Sequence, residues 1–319
     1  MTIGTISGSV NHGILLDHGN YGLTLTVSHT GKINAPTYGI YSNVAFPDVV
    51  NNGSVHASLV AVDLPYEGTL DNSGNLSGTT IGVAFNTEGI LLNTGTISAT
   101  VQYAAGLLYS GSLYSSGLIT SKNLGVLLDT GNKLDNTGII YGTSFGVASS
   151  TDNTLYNSGT IAGGSHYAVG LGTNSSLDNT GHITADGAGV VLRDATLANS
   201  GTIHGGTLGV YMVEGSILNS NHIYGNTIGL DFAGSTTQSN IGTIFVNNIT
   251  NTAFGTITSS SEGVGVSLRA TLSAPVTMTN AGTIIGGVAG AYLSYANLAN
   301  SGLIPTILGF DTRPLPCSD

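Results

Sequence analysis

A single cysteine, Cys317, in 319 residues excludes an intrachain disulfide, so no covalent staple holds this chain together. Basic residues are almost as scarce: six Lys plus Arg against 17 Asp plus Glu, a formal net charge of −11. Nucleic acids and anionic membrane surfaces are bound by clustered positive charge. The six bases here (Lys32, Lys122, Lys133, Arg193, Arg269, Arg313) are scattered, so no nucleic-acid partner is expected. No apolar run is long enough to cross a bilayer, which leaves no membrane insertion by this segment. No stretch keeps a 3.6-residue periodicity, which argues against a helical body. The start, Met1-Thr-Ile-Gly-Thr-Ile, lacks a basic stretch followed by an apolar one, so no export signal is read there. The expectation is a segment of a longer secreted or cell-surface product; a cytoplasmic protein is the alternative.

What the chain does have is glycine, 48 residues of it, and one recurrent phrase. Asn-Ser-Gly-Thr-Ile stands at Asn157 to Ile161 and at Asn199 to Ile203, with variants such as Asn72-Ser-Gly-Asn-Leu76 and Asn179-Thr-Gly-His-Ile183. Its central glycines recur every 20 to 22 residues from Gly31 through Gly242, with Asn221 replacing one of them. A fixed period of this size is the mark of a solenoid, one quasi-linear object despite a length that suggests two domains.

With the phrase glycine counted as zero, position −4 is aliphatic (Val27, Val49, Leu70, Leu91) and so is position +2 (Ile33, Val55, Leu76, Ile97). Position −2 is Asn in most coils: Asn72, Asn93, Asn136, Asn157, Asn179, Asn199 and Asn219, with Ser115 breaking the run. These positions share parity, so on an extended strand they face one side, the interior. Buried amides are costly unless bonded, so the Asn residues are expected to stack as a structural ladder. The adjacent glycine suits a corner that needs positive φ or leaves no room for a side chain. A second strand follows, as in Gly125-Val-Leu-Leu128 and Gly229-Leu-Asp-Phe232. Its alternation places Val126 and Leu128 inside and Leu127 and Asp231 outside. Roughly fifteen coils stacked at about 4.8 Å make a rod about 70 Å long. The solenoid is expected over 1–304, irregular at 1–31, where Gly4 begins a phrase, and at 242–282. Residues 305–319 form a tail or cap, because Pro305, Pro314 and Pro316 cannot donate to a ladder.

At this phrase and the following Gly-Val-x-Leu, the chain resembles the right-handed parallel β-helix passenger domains of autotransporters and filamentous-haemagglutinin-like exoproteins. The resemblance covers nearly the whole chain, without the family's membrane barrel. It implies an all-β, right-handed parallel β-helix of about 21 residues per coil, usually adhesive, aggregating or presenting. It also implies a partner that is a host or bacterial surface glycan or protein, or a second copy.

Two clusters are candidate sites. On the outer face of the phrase strand, positions +1 and +3 bring His182, His204, His222, Tyr224 and Phe245 onto neighbouring coils. His182 and His222 fall about 10 Å apart, with His204 about 8 Å from each. Metal donors must converge within about 2.1 Å of one point, so a glycan- or protein-contacting face fits better than a metal site, and an ordinary solvated face is the plain alternative to both. The turn after the second strand carries Glu88, Asp129, Asp152, Asp194 and Glu214; Asp194 and Glu214 lie one coil apart. That spacing would suit a Ca²⁺ or glycan site, or a retaining glycosidase pair, but turns favour carboxylates for local reasons. The column Asp71, Asp135 and Asp178 skips coils, which spaces its like charges. No catalytic residue, metal or cofactor is assigned. A non-catalytic adhesive β-helix is the leading reading. A polysaccharide hydrolase or lyase and a tailspike segment are the alternatives; a lyase would need clustered bases that are absent.

Overall fold

The computed structural model describes residues 3–17, 23–233, 247–270 and 276–309. Within them the fold is all-β without a helix: three parallel sheets wound as a solenoid of about 21 residues per turn. There are about 13 turns rather than fifteen. The chain divides into two compact units, residues 1–170 and 171–319.

One turn of the first unit shows how the phrase folds. Thr69–Asn72 lies in the first sheet, Asn75–Gly78 in the second and Ile81–Thr87 in the third. The next turn repeats each strand in parallel register, Leu70 beside Leu91, Asn72 beside Asn93, Leu76 beside Ile97 and Val83 beside Ala105. The period-two alternation sends Leu70, Asn72, Leu76, Val83 and Phe85 inside. Each buried aliphatic side chain contributes about 1.5–3 kcal/mol. In the second unit the same columns run Leu197 beside Ile217, Asn199 beside Asn219, Ile203 beside Ile223 and Val210 beside Leu230.

The ladder is present. Asn51 donates through Nδ2 to Asn72 Oδ1 at 2.7 Å and Asn72 to Asn93 at 2.8 Å, while Asn136 donates to Asn157 at 2.8 Å. In the second unit Asn179, Asn199, Asn219, Asn251 and Asn280 pass the bond onward to Asn300. Most of the amides also clip their own corner, as when Asn72 Nδ2 donates to the Gly74 carbonyl at 3.3 Å. Ser115 accepts from Asn93 at 3.1 Å, but Asn136 Oδ1 is left buried without a partner.

The phrase glycine answers the second of the two reasons considered for it. Among the described glycines only Gly131 and Gly215 have positive φ. A Cβ on Gly95 would instead collide with the Gly74 carbonyl oxygen, and one on Gly117 with that of Gly95. Close approach of successive corners is what excludes a side chain.

Two stretches are counted differently from the phrase spacing. At the N-terminus Gly4 lies beside Leu25, and Leu25 beside Val49, so Leu25 rather than Val27 holds position −4. Ile6 and Val27 fill the ladder column, and Gly8, whose carbonyl accepts from Lys32 N, takes the phrase-glycine place instead of Gly4. Further on, Asn251 lies beside Asn219 and Ile257 beside Ile223, so Asn251…Gly255-Thr-Ile257 closes the turn. Asn240, Gly242 and Ile244 lie outside the described residues. Both Val27-Ser-His-Thr-Gly31 and Asn251-Thr-Ala-Phe-Gly255 carry two extra corner residues, which a count of glycines reads as a shift of phase.

Candidate functional site

The histidine face belongs to the second sheet of the second unit. Strands His182–Ala185, Thr202–Gly205, His222–Gly225 and Thr256–Ser259 pair in order. Their outward positions form two columns, His182-Thr202-His222-Thr256 and Thr184-His204-Tyr224-Thr258. Threonines hold the imidazoles through Nδ1: His182 with Thr202 Oγ1 at 2.6 Å, His222 with Thr256 Oγ1 at 2.8 Å, and His204 with Thr184 Oγ1 at 3.5 Å. At His204 and His222 this leaves Nε2 as the nitrogen available to a ligand. The His204 and Tyr224 rings stack at 4.9 Å and 13°, and Tyr224 lies 6.3 Å from His222 at the same tilt. Burial, then the neighbouring His204, pushes the His222 imidazole below its ordinary value, so it is neutral at neutral pH. Thus the structure brings together His204, His222 and Tyr224, with His182 attached through Thr202. Phe245 lies outside the described residues. Among the described residues no three His, Cys, Asp or Glu side chains converge as metal ligands.

The acidic turn has a backbone cause. Glu67, Glu88, Ser110, Gly131, Asp152, Asn174 and Asp194 each stand seven residues before a phrase glycine, and all have positive φ, between 41° and 70°. Asp and Asn tolerate that conformation because their short polar side chains bond locally. Asp129 is not in this turn; it lies in the strand Leu124–Thr130. Asp194 N donates to the Glu214 carbonyl at 3.0 Å, so backbone links the two turns. Both side chains are half-buried. Asp194 borders an open depression of about 390 Å³ with Asn174, Ser175, Thr196 and Ser216, and Glu214 does not line it.

Asp231 overturns its expected placement. It occupies an outward column, beside Tyr211 and Ser267, yet is buried. Arg269, one strand on, donates to its Oδ2 at 2.6 Å, and Oδ1 has no partner. Parity places a side chain on a face; it does not say what covers that face.

Several side chains have no counterpart in the phrase reading. Asn132 and Asn153 form a second short ladder at the corner after the third strand. Asn153 Oδ1 accepts from Asn132 N at 2.7 Å, and Asn132 Oδ1 from Gly111 N at 2.8 Å. On the third sheet Tyr103 folds its ring over Gly106, where a Cβ would strike it. Burial raises the Asp63 carboxyl above the usual carboxylate range, and burial with the nearby Asp63 raises the Tyr103 phenol.

Two tyrosine pairs also stand out. Tyr66 and Tyr109 share a column two turns apart with Thr87 between them. Tyr114 and Tyr156 share another, with Asp135 between them. Their signal was in the sequence, as tyrosines separated by two repeat lengths. The chain matches no protein-family model, no curated protein and no solved structure.

Proposed function

We propose that this chain is a non-catalytic adhesive solenoid acting at a cell surface, which presents registered side chains on flat outer faces to a surface glycan or protein. The observation that carries this is the stack of His204, Tyr224 and His222, three rings aligned by register on an outward face, the two imidazoles held by threonines. Rings fixed this way lose little freedom on contact, and an interface gains from such preorganisation. The scarcity of charge on the chain fits contact through hydrogen bonds and ring surfaces rather than ion pairs.

The test is retention of labelled bacterial and epithelial cells on a surface coated with the chain. Retention well above that on an inert protein is expected, and Tyr224→Ser with His204→Ala should lower it several-fold without moving the melting temperature. Retention no better than the inert coat would refute the adhesive reading. Unchanged retention in the double variant would remove this face from it.

The hydrolase alternative keeps one supporting observation, the open depression beside Asp194. Release of reducing sugar from a neutral or acidic polysaccharide that vanishes in Asp194→Asn or Glu214→Gln would favour it over adhesion.

A further inference from the structure

We infer that the first unit carries a binding track for an extended, neutral, β-linked polysaccharide along the edge between its third and first sheets. The inference rests on the adhesive reading only in taking the outer faces as the working surface; the track is on other residues than the histidine face.

Tyr66 and Tyr109 close the strands Val60–Tyr66 and Tyr103–Tyr109, and their register through Thr87 sets them two turns apart, about 9.6 Å. They are 50 % and 52 % exposed, and neither ring is engaged by another ring or a cation among the described residues. Glu67 and Glu88 follow immediately in the left-handed corner, so carboxylates stand beside one tyrosine and between the two. On the neighbouring line Tyr114 and Tyr156 stand two turns apart with Asp135 between them, but the Lys133 ammonium lies over both rings, 5.0 and 5.5 Å from their centroids, so of these two pairs only the Tyr66 and Tyr109 faces are open.

Two aromatic platforms two steps apart, with a carboxylate at the step between, match one repeat of a two-fold polysaccharide ribbon. In such a ribbon alternate sugars present the same face. Their C–H surfaces rest on the rings and the intervening sugar's hydroxyls donate to the carboxylate. A folded protein partner has no reason to repeat at this spacing. A second copy, carrying the same charge of −11, would be repelled, and so would a uronate or sulfated polymer facing Glu67 and Glu88.

The experiment is calorimetric titration of the full chain with cellohexaose, chitohexaose and a polygalacturonate hexamer. Binding of at least one neutral hexamer is expected, with the uronate hexamer at least tenfold weaker. Tyr66→Ala with Tyr109→Ala should weaken binding more than about tenfold, as loss of a central aromatic anchor does. Tyr66→Phe with Tyr109→Phe should keep most of it, and both variants should melt like the parent. No binding of either neutral hexamer, equal binding of the uronate, or indifference to the double alanine variant would overturn the track. Cell retention through the histidine face would survive that result, so the two proposals fail separately.

Discussion

A buried amide both accepts and donates, so one missing member of a stack leaves two neighbours to be satisfied. Ser115 satisfies only one of them, accepting from Asn93 while Asn136 Oδ1 stays buried and unpaired. The column holds Asn in the turns on either side, so Ser115→Asn is expected to fit and to raise stability by about 1–2 kcal/mol, from one new bond and one relieved orphan. Chemical denaturation with an unchanged m-value measures it; a loss of stability would mean the column narrows at that turn. The converse, Asn199→Ala, breaks the bonds to Asn219 and to the Gly201 carbonyl and strands Asn179's donor. It should cost about 1–3 kcal/mol. Asp63 is a separate case. Burial raises its folded-state pKa above the ordinary 3.8, so between that value and the raised one the folded state holds the extra proton. Stability therefore falls as pH rises through that window, and the ionised Asp63 is a burden above it. Asp63→Asn should raise the melting temperature at about pH 7 and leave it unchanged at about pH 3. A variant that melts lower at both would show that the carboxylate earns its place through bonds instead.

At the scale of the turn, two kinds of glycine carry different costs. Gly131 has φ of 70° with room around it, since a Cβ would come no closer than 3.4 Å to Ser110 Oγ. Gly131→Ala should then cost only the left-handed strain, about 1–2 kcal/mol, and Gly131→Asn less. Gly95 has ordinary φ but faces the Gly74 carbonyl, which is backbone and cannot swing away. Gly95→Ala should cost more than Gly131→Ala, because two corners must separate and the ladder beside them loosens. Thermal melts of the pair should rank them in that order; the reverse would shift the weight to conformation. The same contrast explains what was legible in the sequence. The ladder and the −4 and +2 columns were, because each repeats at nearly every turn and alternation fixes its face. The left-handed corner was not, because Glu67, Ser110, Asn174 and Asp194 share a backbone angle and no side-chain chemistry. Asp231 was misplaced because its burial depends on what lies over the face. Asn251 was missed because two extra corner residues moved its glycine. The histidine face was legible as columns of +1 and +3; the stacking of His204 on Tyr224 required coordinates.

A solenoid's stability is close to a sum over turns and their interfaces, so a whole turn is a removable unit where half a turn is not. Residues 73–93 are such a unit, because Asn72 and Asn93 are register partners 21 residues apart. Their deletion joins Asn72 to Thr94 and sets Asn72 beside Ser115, where Asn93 now stands. Every inward column keeps its parity, so the shortened chain should fold, with a β-sheet circular dichroism spectrum and a modestly lower melting temperature. Deleting only 73–83 would carry the chain into the third sheet at the wrong residue, turn a core face outward and abolish cooperative melting. The whole-turn deletion also removes Thr87 and Glu88 and brings Tyr66 and Tyr109 onto adjacent turns, from about 9.6 to about 4.8 Å apart. A polysaccharide ribbon that needs the longer step should then lose its site on a folded protein. Titration with the hexamer that binds the parent reads this directly: binding lost with cooperative melting kept supports the two-turn spacing. Undiminished binding would show that the spacing of the tyrosines is not what the ligand reads.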